Sequence, residues 1–274
     1  MKVETLPLAG LTTLGVGGMA EVWTVENLQD LKQAASRPYR ILGNGSNLLV
    51  SDAGVEERVI RLGGEFCLFD LTGTVGAGAL LPTVLQKAAQ AGLSGLEGLY
   101  GVPAQVGGAV KMNAGTRFGE MAGALEWVEI FHAGALHQYR PAELGFSYRH
   151  SELPVGGIIT RVKLNLKEVG KEQVRAKMAL ADAARKGQPK RKSAGCAFKN
   201  PVGDSAGRLI DQRGLKGLTL GKAMVSREHG NFIVNLGGAS AEDIWALVQK
   251  IKEQLPLELE WEVWGKVGQG VGTG

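Results

Sequence analysis

Two glycine-rich stretches carry the residues whose types and spacing suit the capture of a charged ligand. The first, GLEGLYGVPAQVGGAVKMNAG over residues 95–115, is nearly free of large side chains, so its backbone can approach a ligand closely. Paired glycines with small neighbours turn successive N–H groups inward as an anion nest, and Pro103 pre-sets the first turn of a short helix whose N-terminus adds its dipole. Gly101, Pro103, Gly107, Gly108, Ala109, Asn113, Ala114 and Gly115 are the bed residues. The second stretch, GNGSNLLVSD over residues 43–52, sets Gly43, Asn44, Gly45, Ser46, Asn47 and Leu48 in a turn between two apolar runs. It lacks the lysine and hydroxyl of a P-loop, and Leu48 stands where a GxGxxG fingerprint has its third glycine. Two unlike phosphate-friendly turns point to a dinucleotide held outside the Rossmann plan. For one such loop taken alone, a merely structural turn is the standing alternative.

Around these turns the chain alternates short elements. Residues 26–36 have helical spacing, and residues 39–42, 48–51 and 58–62 read as strands, giving a small βαββ lobe. Residues 65–71 and 74–77 read as strands and 80–91 as a helix capped by Gly92. Beyond the bed come strands at 125–132, 136–139 and 158–166, with the polar loop FSYRHSEL between the last two. A helix over about 170–186 opens a third, α+β lobe with a helix at 205–213 and strands at 223–226, 232–235 and 257–264. Its last helix starts at Ser240, with Asp243 in the capping-box position. The expected division is 1–65, 66–168 and 169–268, with a flexible tail at 269–274, the lobes packing round one cleft.

Composition narrows the function classes. A hydrophobic content of 44% suits a globular core, and no apolar run long enough to span a bilayer appears. The N-terminal residues lack a signal-peptide pattern, so a cytoplasmic protein without membrane contact is expected. Two cysteines, Cys67 and Cys196, are too few for a disulfide framework, and the four histidines show no metal-ligand spacing, so no metal is expected. Five cations fall within residues 185–192, whereas aromatic residues make up only 6% and do not interleave with them, which argues against a nucleic-acid partner. Phosphate capture and a solvated helix end are the two readings of that run.

Five phrases in order, LGNGSNLLVSD, GLEGLYGVPAQVGGAVKMNAG, FSYRHSEL, SAGCAFKNP and LEWEVWG, closely resemble the UDP-N-acetylenolpyruvoylglucosamine reductase family over nearly the whole chain. The resemblance implies an α+β fold: a two-lobed FAD-binding region of the vanillyl-alcohol-oxidase/PCMH type plus an α+β substrate-binding domain. It implies noncovalent FAD, NADPH as hydride donor, and UDP-N-acetylglucosamine enolpyruvate as substrate. It assigns the carboxylate-binding cation to Arg149, the general acid to Cys196 and the assisting carboxylate to Glu262, with Tyr148, Lys199, Asn200 and His229 near the sugar nucleotide. Cys196 departs from the family's usual serine, yet a thiol is a stronger acid that stays mostly protonated at neutral pH. Composition alone favours a buried structural cysteine, and its place inside the motif reverses that preference. Strand alternation does not choose among Glu258, Glu260 and Glu262; the family pattern LExEV selects Glu262. Trp264 stands where the family often has arginine. Rival functions are another flavin oxidoreductase on the same fold and a noncatalytic phosphate- or RNA-binding protein.

Overall fold

Period-two alternation builds one of two four-stranded sheets, which the computed structural model describes together with the rest of residues 1–268. The expected tail at 269–274 lies outside the described residues. Strand Leu125–His132 sits between Ala135–Tyr139 and Ile158–Leu164, and Thr74–Gly76 completes the sheet, every pair antiparallel. The register sets Val128 against Val162 and Val162 against Val75, and all three side chains are fully buried. Each such burial stabilises the fold by about 1.5–3 kcal/mol. A register shift between Glu129 and Ile130 lets the consecutive residues Ile130 and Phe131 both turn inward, which strict alternation forbids.

The chain divides into two compact units. Met1–Val3, Trp23–Asn44 and Val59–Lys186 form the first, with the sheet above, the helix Leu81–Ala91 and the glycine bed. Helix Lys171–Ala183, expected to open a third lobe, belongs here: Met178 packs against the first core, and Lys177 donates to Ser94 at 2.9 Å and pairs with Glu97 at 3.6 Å. Residues 65–71 are not a strand. Gly64–Cys67 is a 3-10 turn in which Glu65 N–H donates to the Glu26 carbonyl, and Leu68 and Leu71 are exposed.

Glu4–Val22, Gly45–Arg58 and the described residues from Gly187 to Gly268 group as the second unit. Its sheet orders Thr219–Leu220, Ala223–Val225 and Ile233–Asn235, and helix Ala241–Lys252 buries Ile244, Leu247, Val248 and Ile251 completely. The capping box between Ser240 and Asp243 forms as expected. Two early segments are fastened into this unit by non-local contacts. Leu48–Val50 pairs in parallel with Glu262–Trp264, Asp52 accepts from Ala241 N–H at 2.7 Å, and Asn235 donates to the Leu14 carbonyl at 2.9 Å. These contacts replace the three sequential lobes expected from the sequence by two units that interrupt one another along the chain. The expected strand over 257–264 is shorter, only Glu262–Trp264; ahead of it Leu259 makes a single bridge with Phe198.

Candidate active site

In the first unit the glycine bed folds as a loop leading into the short helix Val106–Lys111. Gly107 N–H donates to the Ala77 carbonyl at 2.8 Å, and a Cβ there would meet Ala77 Cβ at 2.9 Å, so glycine is needed to seat the helix. Gly108, its neighbour, is different: a Cβ would meet nothing within 4 Å. The bed therefore presents an open face at Gly108 with its other side closed by protein. Gly101 adopts φ +79° under Arg185, whose Nε would lie 2.4 Å from an added Cβ, so a cation side chain rests on the bare backbone. Pro103 does not open the helix, which starts three residues later; its carbonyl accepts from Asn44 at 2.7 Å and joins the two glycine-rich turns. Gly43 faces Gln105, whose Oε1 would lie 3.6 Å from an added Cβ. Ala109 is buried, and its carbonyl accepts from Ala114 N–H at 2.7 Å. Asn113, buried with φ 41°, is an internal brace: it donates to Glu120 and to the Ser147 carbonyl and accepts from Ala122 N–H, at 3.0, 2.9 and 3.0 Å.

That Ser147 contact anchors the loop carrying Arg149. Ser147 and His150 exchange two backbone hydrogen bonds of 3.1 Å, which makes Tyr148 and Arg149 the two residues of a tight turn. Arg149 takes φ 57°, a left-handed conformation that usually falls to glycine. Its Nη2 donates to the Gly115 carbonyl at 2.9 Å, and its guanidinium lies 5.0 Å from the Tyr148 ring centroid. A bulky cation is thus held in a left-handed turn and tied to the rim of the bed. Within the bed stretch, Glu97 is buried. Burial pushes its carboxyl upward, but hydrogen bonds from Ser94 and Gly95 N–H together with Lys177 outweigh that and hold it below the usual carboxylate range.

In the second unit Gly45 adopts φ +60°, and an added Cβ would lie 2.3 Å from the Leu11 carbonyl oxygen, so no side chain fits. Ser46 and Leu48 follow, the first half-buried and the second buried. Asn47 reaches across to the C-terminal segment: it donates to the Glu260 carbonyl at 3.1 Å, and its own carbonyl accepts from Glu262 N–H at 3.1 Å. Cys196 lies, half-buried, in a segment flanked on both sides. It bridges Phe232 on one side, and on the other Glu260 N–H donates to the Ala197 carbonyl at 2.8 Å.

The three candidate glutamates separate here. Glu258 is exposed and pairs with Lys199 at 2.6 Å. Glu262, also exposed, accepts from the Trp264 indole at 2.9 Å. Glu258 and Glu260 both pair by backbone with the segment holding Cys196, through Lys199 N–H and the Ala197 carbonyl, and half-buried Glu260 is the one paired next to Cys196. Lys199 is thus engaged with a carboxylate. Asn200 accepts from Ala206 N–H at 3.0 Å and helps cap the helix Ala206–Gln212. His229 accepts from Asn231 N–H at 3.2 Å through Nδ1, so its neutral ring carries the proton on Nε2. Burial, aided by Lys216, lowers its pKa. Asn231, Gln105 and Asp52 are structural partners the sequence did not single out; no local pattern marks them.

The geometry fits a dinucleotide cofactor: an open glycine face at Gly108 that no protein atom approaches within 4 Å of an added Cβ, and a cation, Arg185, over Gly101 of the same bed. The comparisons agree. A family model described as FAD binding domain matches residues 16–133, and one described as UDP-N-acetylenolpyruvoylglucosamine reductase, C-terminal domain, matches residues 188–264. The chain is therefore an α+β, FAD-dependent oxidoreductase. It is 70% identical over 264 residues to the UDP-N-acetylenolpyruvoylglucosamine reductase of Thermus thermophilus, covering 96% of this chain and 100% of that protein. The reductase of Deinococcus radiodurans is 53% identical over 278 residues, with 96% of each chain covered. A crystal structure of the reductase from Thermus caldophilus matches with a TM-score of 0.96 at 70% identity, covering 97% of this chain and 100% of that one. The chain belongs to the UDP-N-acetylenolpyruvoylglucosamine reductase family.

Proposed function

We propose that the protein reduces the enolpyruvyl group of UDP-N-acetylglucosamine enolpyruvate to give UDP-N-acetylmuramate, with NADPH as the electron source. FAD held at the glycine bed around Gly108 would supply the two-electron chemistry between NADPH and the substrate double bond. The chain's own residues bind, polarise and protonate. Arg149 faces the substrate carboxylate, where a guanidinium fork stabilises the enolate-like charge that develops as hydride arrives. Cys196 then delivers its thiol proton to the neighbouring carbon, and the resulting thiolate is reprotonated from solvent. The net change consumes one NADPH and one proton for each double bond reduced.

The observation that supports a carboxylate beside Cys196 is the backbone pairing of Glu260 with Ala197, next to Cys196, whereas Glu258 pairs farther along, with Lys199. It favours Glu260 as the assisting carboxylate. Glu262 is the second reading, because the Trp264 indole orients its carboxylate. Tyr148, Asn200 and His229 are proposed to border the sugar nucleotide; Lys199 could serve only by giving up Glu258. Among the described residues no helix is long and apolar enough to cross a membrane, and we place the reaction in the cytoplasm. A titration of the purified protein tests the function. NADPH should bleach its flavin absorbance and the enolpyruvyl substrate should restore it without oxygen. A protein that binds no FAD, or whose bleached flavin the substrate leaves unchanged, would refute it.

A further inference from the structure

Asn231 is 2% exposed, yet every polar group it carries toward the Cys196 segment is engaged. Its Oδ1 accepts from Phe198 N–H at 2.9 Å and its Nδ2 donates to the Phe198 carbonyl at 2.8 Å. Its main-chain carbonyl accepts from Ala197 N–H at 2.8 Å. A side-chain amide has the same donor and acceptor as a peptide group, so here it replaces a neighbouring strand for one residue. On the other edge, Phe198 bridges Leu259 and Ala197 accepts from Glu260 N–H. Residues 197 and 198 are thus pinned from both sides, and Cys196 directly precedes them. Asn231 is held in turn by His229, whose Nδ1 accepts its N–H and whose ring meets Phe232, the bridge partner of Cys196, edge to face at 4.9 Å.

We propose that Asn231 is a positioning residue for the proton-delivering thiol: its amide fixes the bent path of residues 197–198 and thereby the reach of Cys196. The inference rests on the reading of Cys196 as the proton donor. A misplacement of about 1 Å in a reacting group can cost about 10²-fold in rate, so disturbing the bracket should slow turnover by about 10–100-fold while changing KM little.

Asn231→Asp tests this, because the introduced carboxyl mimics the amide only while protonated: its O–H then donates to the Phe198 carbonyl and its C=O accepts from Phe198 N–H. Burial raises the pKa of such a carboxyl, so the mimic persists at the acid end of the range. The measurement is kcat of the FAD-loaded enzyme across pH, relative to the parent at each pH and per flavin-loaded molecule, in the Cys196 and Cys196→Ala backgrounds. The expected ratio approaches one at low pH and falls 10–100-fold as the carboxyl ionises and repels the carbonyl. In the Cys196→Ala background the same change should cost less than about threefold, since there is no thiol left to misplace. If Asn231→Asp does not hold its fold, Asn231→Ser, which keeps one of the two hydrogen bonds, should show a pH-independent loss with the same dependence on Cys196. A ratio flat at one, or an equal loss in both backgrounds, overturns the inference while leaving the thiol's role standing. Cys196→Ala turning over at the parent rate overturns the thiol's role and this inference with it.

Discussion

Gly107 and Gly108 are adjacent glycines whose replacement should have opposite consequences. Gly108 is exposed in the helix Val106–Lys111, and an added Cβ meets no protein atom within 4 Å. Gly108→Leu should therefore be tolerated by the fold: glycine in a helix interior costs about 0.8–1 kcal/mol relative to good helix formers. A gain of that size raises Tm by about 2–4 °C in a chain of this length. The space the side chain enters is the space assigned to the cofactor, so flavin should be lost. A ligand present at about 100 times its Kd stabilises its protein by about 2.7 kcal/mol, and that increment should vanish. Gly107→Ala does the reverse. Its Cβ would press on Ala77 Cβ at 2.9 Å and on the Ala77 carbonyl oxygen at 3.2 Å, and overpacking of this kind costs about 1–3 kcal/mol. The assay is the flavin-to-protein absorbance ratio after gel filtration, with thermal melts of the apo and FAD-loaded forms. Gly108→Leu retaining stoichiometric FAD would show that the open face is not the cofactor's bed, and an apo form melting several degrees lower would show that hidden packing was missed.

Three further outcomes follow. Arg149→Lys keeps the charge but loses the fork, so flavin bleaching by NADPH should persist while turnover of the enolpyruvyl substrate falls by at least tenfold; unchanged turnover removes Arg149 from the site. Arg149→Gly should relieve about 1–2 kcal/mol of left-handed strain while losing the bond to Gly115, leaving Tm within a few degrees of the parent as activity disappears. Glu260→Gln and Glu262→Gln, compared under substrate saturation, decide between the two carboxylates: the first should lower kcat by about 10²-fold or more and the second by less than about threefold, and the opposite order returns the role to Glu262.

The parts of this structure legible in the sequence are those a local pattern encodes. Alternation predicted strands over 125–132 and 158–166, found as Leu125–His132 and Ile158–Leu164, helical spacing predicted a helix over 80–91, found as Leu81–Ala91, and Ser240 with Asp243 marked the start of Ala241–Lys252. The glycine bed was visible because bare backbone is a compositional signal. What local pattern does not carry is partner choice. Nothing in LEWEVWG tells that residues 257–261 leave regular strand geometry while Glu262–Trp264 joins Leu48–Val50, more than two hundred residues away in sequence, in parallel.

The same limit explains the glutamates. On one regular strand Glu258, Glu260 and Glu262 are equivalent, and only a motif chooses among them; tertiary pairing breaks that equivalence by giving each a different neighbour. Lys199 takes the first and the Trp264 indole takes the third, while the Ala197 carbonyl fixes the backbone of the second. If Glu260 is the working carboxylate, the residue two positions beyond it is Glu262. The position associated with arginine in the family would then hold an acid, and the Trp264 indole would be the donor that keeps its carboxylate turned along the strand. The departure read at Trp264 and the ambiguity among the glutamates become one feature, a local exchange of hydrogen-bond partners, which the comparison of Glu260→Gln with Glu262→Gln resolves.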